Sequence, residues 1–212
     1  ISPKFLSAKP ATDVTVDLYR IGYYGGKGGR HVARLGPFSV TPQSTPPIGE
    51  HRLRECRWAR TATIAIPPHW VSGVYVGKLS CRSHRDQSYV IFVVRDDRKA
   101  DVIFQTSDTT WQAYNKWPDA YSLYDSDEPK RPWNATTWIS YDRPYGFYPQ
   151  VVSQPLSQGS GEFFLWEYPL CYWLEQQGYD VTYTSNIDTH ADGAGLARAK
   201  CFLSVAHDEY WS

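Results

Sequence analysis

Over residues 1–98 the apolar positions come in short bursts with a period close to two. "VTVDLYRIGYY", "TATIAIPP", "SGVYVGKLS" and "SYVIFVVRDD" are β-branched or aromatic runs parted by Gly, Pro and Ser, the pattern of short strands joined by turns. Strands so spaced predict an N-terminal immunoglobulin-like β-sandwich over residues 1–98. "GYYGGKGGR" has no Ser or Thr after Lys27 and the wrong glycine spacing for a phosphate loop, so it reads as a glycine-rich hairpin or corner.

The period changes after "RDDRKAD", Arg95 to Asp101, a charged stretch read as a hinge. "DVIFQ" is a short buried strand, and in "TSDTTWQAYN" Ser107 or Asp108 can cap a helical turn. Residues 117–160 are irregular and rich in Pro, Tyr and Trp. "EFFLWEYPLCYWLEQQG" then places Phe163, Trp166, Leu170, Trp173 and Leu174 on one helical face, with Pro169 at a kink or in the first turn and Gly178 as the stop. With "DVTYTS", "LARAK" and "CFLSVA" the order becomes strand, helix, strand, helix, strand, which predicts a parallel-sheet α/β domain over 99–212. Open parallel sheets bind ligands at the carboxyl ends of their strands. The polar groups Thr106–Asp108, Ser185–Asp188 and His207–Glu209 are therefore expected along one edge. Three strands make a thin sheet, so the α/β part is expected to be a partial domain, truncated at Ser212.

Composition narrows the function. The chain has 212 residues, 42% hydrophobic, enough for one large or two modest cores. Zero net charge argues against nucleic acid as the main partner. No run approaches the roughly 18 apolar residues of a membrane span. The chain starts at Ile1 and contains no Met, so the natural N-terminus is expected to be missing, which leaves room for a removed export signal. Nine Trp and sixteen Tyr suit β-rich packing or a substrate cleft. Of four cysteines, Cys56 and Cys81 fall in apparent strands and are a candidate bridge, worth roughly 3.5 kcal/mol by loop closure. The alternative, two thiols, stays open with the compartment, exported or cytoplasmic; a bridge favours export. Cys171 and Cys201 read as buried thiols, and without a CxxC a zinc ribbon is unsupported.

The richest chemistry stands in "SVAHDEYWS". On a continuing strand His207 and Glu209 share a face while Asp208 points away. That pair suits metal ligation, or a carboxylate orienting an imidazole for acid–base work. The bland alternative is a helix-capping Glu209 and a satisfied core His207. "DTHADGAG" lacks the calcium-loop pattern and reads as a polar turn. "NAT" at Asn134 fits a glycosylation acceptor only in a secretory setting, "DSDEPKRP" is a solvated charge run, and no Gly-x-Ser-x-Gly elbow is present.

Six blocks in order, "YRIGYYGGKGGR", "VIFQTSDTTWQAYNKW", "SLYD", "YDRPYG", "WLEQQGYDVTY" and "SVAHDEYWS", resemble the large (beta) subunit of N,N-dimethylformamidase and its bacterial relatives. The resemblance spans Val16 to Ser212. It implies a β-rich region beside an α/β catalytic domain, and hydrolysis of a small amide to an acid and an amine at a mononuclear iron held by two tyrosines and a glutamate. On this chain it points to Glu209 and Tyr114 as ligands, to Tyr124 as the second tyrosine with Tyr145 in reserve, and to His207 as the neighbouring catalytic histidine. The short Tyr114–Tyr124 interval and Asp208 depart from the family pattern and bear on substrate identity. Phenolates and a carboxylate are hard donors that suit ferric iron. A free phenol titrates at about 10, so a strong cation must favour two phenolates at neutral pH. Further subunits, or the rest of its own polypeptide, are implied partners. The rival readings are a non-catalytic, exported or surface-associated assembly protein on the same scaffold, and a fragment that holds the ligands but needs residues beyond Ser212 to turn over.

Overall fold

In the computed structural model, which describes residues 12–81, 87–125, 137–146 and 159–210, the alternating runs of the first half pair into one antiparallel sheet. Its strands are β1 (Thr12–Ile21), β2 (Gly29–Val40), β3 (Gly73–Cys81) and β4 (Gln87–Val94), in the order β2-β1-β3-β4. The period of two sorts the side chains. Val14, Val16 and Leu18 point to one face, where Val40 and Ile64 complete a core. Tyr19 and Ile21 turn to the other, with Val74 and Val76. The β1–β2 connection is the glycine-rich hairpin expected. Gly25, Gly26 and Gly28 have φ of 64, 91 and 78°, in the left-handed region where a Cβ is penalised.

A β part followed by an α/β part is present as expected, but the described residues of the first part form one four-stranded sheet rather than a two-sheet sandwich. The second layer of the β half is not made of strands among the described residues. One face is covered by Ile64, Ile66 and Trp70 from the long β2–β3 connection, with Tyr75 stacked between Trp70 and Phe92 at 5.0 and 5.6 Å. The opposite face packs on the α/β half, so Ile21, Val74 and Val76 share a core with Val102, Phe104, Val181 and Tyr183.

That second half is a parallel sheet of β5 (Ala100–Thr106), β6 (Val181–Ser185) and β7 (Ala199–Ser204) in the order β6-β5-β7. Its helices are α1 (Asp108–Tyr114), α2 (Tyr168–Gln176) and α3 (Asn186–Ala191). Register puts Thr106 opposite Ser185, and Gln105 opposite Ser204, so all three strands end at one edge. The Arg95–Asp101 connector is tied down rather than loose. Thr182 donates to Asp96 at 2.7 Å, and Arg98 pairs with Asp180 at 2.6 Å while donating to the Val181 carbonyl.

Some expectations change. A π-turn, Phe163–Glu167, precedes α2, and Pro169 sits in the first turn of the helix. The wider turn rotates the stripe, so Phe163, Glu167, Cys171 and Leu174 face the core while Trp166 and Trp173 are 46% exposed. Cys171 is buried but Cys201 is exposed, because β7 is an edge strand. Among the described residues, no disulfide joins Cys56 to Cys81. Cys56 is buried in the β2–β3 connection, its N–H donating to the Asp142 carbonyl, whereas Cys81 closes β3 opposite Val14. Asn134 lies outside the described residues. Among those described, no helix is long and apolar enough to cross a membrane.

Candidate functional site

The edge where β5, β6 and β7 end is built by hydroxyls of "TSDTTW" gripping the backbone of "VAHDEY". Ser107 occupies the N-cap position of α1 without capping it. Its hydroxyl donates instead to the Val205 carbonyl at 2.7 Å. Thr109 donates to the Tyr210 carbonyl at 2.6 Å, and Thr110 accepts from the Glu209 N–H at 2.9 Å. β7 has ended at Ser204, and Ala206 turns the chain through the left-handed region at φ 59°. His207 and Glu209 therefore do not lie on a strand, yet they share a side as expected. Asp208 points elsewhere, accepting from Gln105, Ser204 and Asn186 at 2.9, 2.7 and 3.1 Å.

Tyr114 is the last residue of α1. The chain then enters a loop in which Asp125 accepts from the Ser122 N–H and hydroxyl at 2.7 and 2.9 Å, a local turn that presents Tyr124. The Leu123 N–H donates to the Ala113 carbonyl at 2.8 Å, holding this loop against the end of α1.

These segments meet at Glu209. The Tyr114 and Tyr124 hydroxyls donate to the same oxygen, Glu209 Oε2, at 3.0 and 2.7 Å. The two rings lie 4.6 Å apart. The other carboxylate oxygen, Oε1, faces His207 Nε2 at 2.9 Å, and His207 Nδ1 faces Glu162 Oε2 at 3.4 Å. The Tyr210 hydroxyl also contacts that of Tyr124. The reserve, Tyr145, packs edge-on against Trp111 instead.

Electrostatics follow this arrangement. Burial favours neutral His207, but the Glu209 and Glu162 carboxylates outweigh it and raise its pKa. Burial pushes Glu209 up, yet hydrogen bonds from Tyr124, His207 and Tyr114 hold it below its ordinary value. Burial, with Tyr114, Tyr210 and the Glu209 carboxylate alongside, raises Tyr124. Among the described residues, no three or more His, Cys, Asp and Glu side chains are grouped to hold a metal ion. A cation here would have to draw on phenol oxygens.

Sequence reading missed Glu162 and Tyr210. Glu162, 1% exposed, opens the apolar "EFFLW" run, and a carboxylate flanked so was the available signal, since a buried charge needs a partner. Tyr210 follows Glu209 directly, and nothing in its spacing marks it. A family model described as N,N-dimethylformamidase beta subunit-like, C-terminal, matches residues 15–212. No curated protein matches the chain.

Proposed function

From the premise that the chain belongs to the N,N-dimethylformamidase beta subunit-like family, we propose that it hydrolyses the C–N bond of a small amide at a mononuclear ferric ion held by Tyr114, Tyr124 and Glu209. One observation carries the reading: two phenol oxygens from separate segments converge on one oxygen of Glu209, at 3.0 and 2.7 Å. The donor chemistry fits such an ion, being hard, oxygen-based and anionic once the phenols ionise. Further subunits or the remainder of the polypeptide are proposed to complete the enzyme.

When bound, the ion supplies Lewis acidity toward an amide carbonyl and acidifies water. The side chains do the rest. Glu209 divides its oxygens between phenols and imidazole, and the Thr110 hydroxyl fixes its backbone at 2.9 Å. His207 holds a proton on Nε2 against Glu209 Oε1, from where it can pass to the departing amine nitrogen. Glu162, buried behind the ring, orients it through Nδ1.

The test is amine release from a panel of small N-alkyl formamides and acetamides by the iron-loaded complete protein. Glu209→Gln is expected to abolish turnover with loss of iron. His207→Asn is expected to keep iron and lower kcat by roughly 10²–10⁴-fold. Iron-loaded protein inert on every amide would overturn the reaction, and a wild type that takes up no iron would overturn the centre.

A further inference from the structure

The "YDRPYG" segment has no part in the chemistry above, yet it contains a buried cation. Arg143 is 6% exposed. Among the described residues its hydrogen bonds end on neutral oxygens: Nε on Gln112 Oε1 at 3.2 Å, Nη2 on the Gln112 carbonyl at 2.9 Å and Nη1 on the Tyr121 carbonyl at 3.4 Å. A guanidinium removed from water without a carboxylate partner costs stability, and burial pushes its pKa down to about 10. A charge kept at such a place needs a reason beyond packing.

The reason lies in what the planar fork joins. Gln112 belongs to α1, two residues before Tyr114, and Tyr121 belongs to the following loop, three residues before Tyr124. One side chain thus bridges the two segments that carry the phenols. The neighbouring contacts brace the same place. Asn115 donates to the Pro144 carbonyl at 2.8 Å and to Gln112 Oε1 at 3.1 Å, and accepts from the Gly146 N–H at 3.0 Å. Tyr121 itself sits at φ 72°, a left-handed conformation that a non-glycine residue holds only under constraint.

We propose that Arg143 is a positioning residue, clamping α1 to the Tyr121–Tyr124 loop and so setting the spacing of the Tyr114 and Tyr124 hydroxyls. Its consequence for metal binding rests on the reading of the preceding section; the clamp itself does not. Lysine keeps the charge but not the rigid fork, and glutamine keeps a donor but cannot span both carbonyls.

The test compares wild type, Arg143→Lys and Arg143→Gln. 3-Fluorotyrosine at position 124 is read by fluorine NMR in metal-free protein, and a ferric titration follows. A narrow resonance is expected in the wild type. In both variants it should broaden or split, while far-UV circular dichroism stays unchanged. Ferric affinity is expected to fall roughly 10–100-fold, the usual effect of losing an outer partner of a ligand. A wild-type resonance in folded Arg143→Gln would overturn the clamp. If that variant does not fold, Arg143→Lys decides by the same criterion. If the wild type binds no iron, the centre falls and the fluorine spectrum alone judges the clamp.

Discussion

Glu209 serves three neighbours with two oxygens, and single substitutions separate its duties. Tyr124→Phe removes a proposed ferric ligand, the hydroxyl that donates to Oε2, while keeping the ring that packs on Tyr114, so ferric affinity is expected to drop at least roughly 10-fold with little change in stability. Tyr145→Phe, whose ring rests on Trp111, is expected to leave ferric affinity unchanged. The two titrations side by side check the choice of tyrosine, and equal losses would contradict it. At this scale the sequence was most legible in the His207-x-Glu209 spacing. Alternation predicted their shared side although the strand stops at Ser204, because Ser107, Thr109 and Thr110 hold the backbone in place of a sheet neighbour. The partners of Glu162 and Arg143 were illegible, since they lie far off in sequence and only folding brings them together.

Among the elements, α2 and its π-turn carry a buried acid. Glu167 is 1% exposed; Oε1 accepts from Trp111 Nε1 at 2.7 Å and from the Ser107 N–H at 3.2 Å, and Oε2 has no hydrogen-bond partner among the described residues. Burial pushes its pKa well above the ordinary carboxyl value. A raised folded-state pKa contributes stability that is fully present below the unfolded value and is lost as pH rises through the folded one. Glu167→Gln keeps the acceptor without the charge. Thermal midpoints followed from about pH 4 to about pH 9 are therefore expected to fall with pH in the wild type and to run flatter in the variant, which gains at neutral and alkaline pH. Parallel curves would contradict the assignment. The sequence showed the helix and its Gly178 stop but not the core-facing stripe. A period of 3.6 counted straight through Phe163–Glu167 misplaces Trp166 and Trp173, because a π-turn holds an extra residue.

For the molecule as a whole, the change of pattern near residue 98 marks a change of architecture without a break in the core. Ile21, Val74 and Val76 of the first half pack with Phe104, Phe163 and Tyr183 of the second. Arg20 pairs with Glu175 at 2.8 Å across the same seam. The Ser72 hydroxyl accepts from the Tyr183 N–H at 2.8 Å. Urea unfolding followed by Trp fluorescence and by far-UV circular dichroism is expected to give coincident transitions. Phe163→Ala, at 0% exposure, should lower both together by about 3–5 kcal/mol. Two separable transitions would contradict a shared core. The succession of strands and helices and the common polar edge could be read from the sequence, whereas the order of strands within each sheet and this seam could not, because which edge and which apolar face meet is decided by tertiary packing. The account's central claim concerns what gathers at that edge, and it is tested most directly by the visible spectrum and iron content of the complete protein. About one iron per chain is predicted, with a phenolate-to-iron charge-transfer band that weakens in Tyr124→Phe and disappears in Glu209→Gln. A colourless, iron-free protein of full stability, or a band unchanged in both variants, would contradict it.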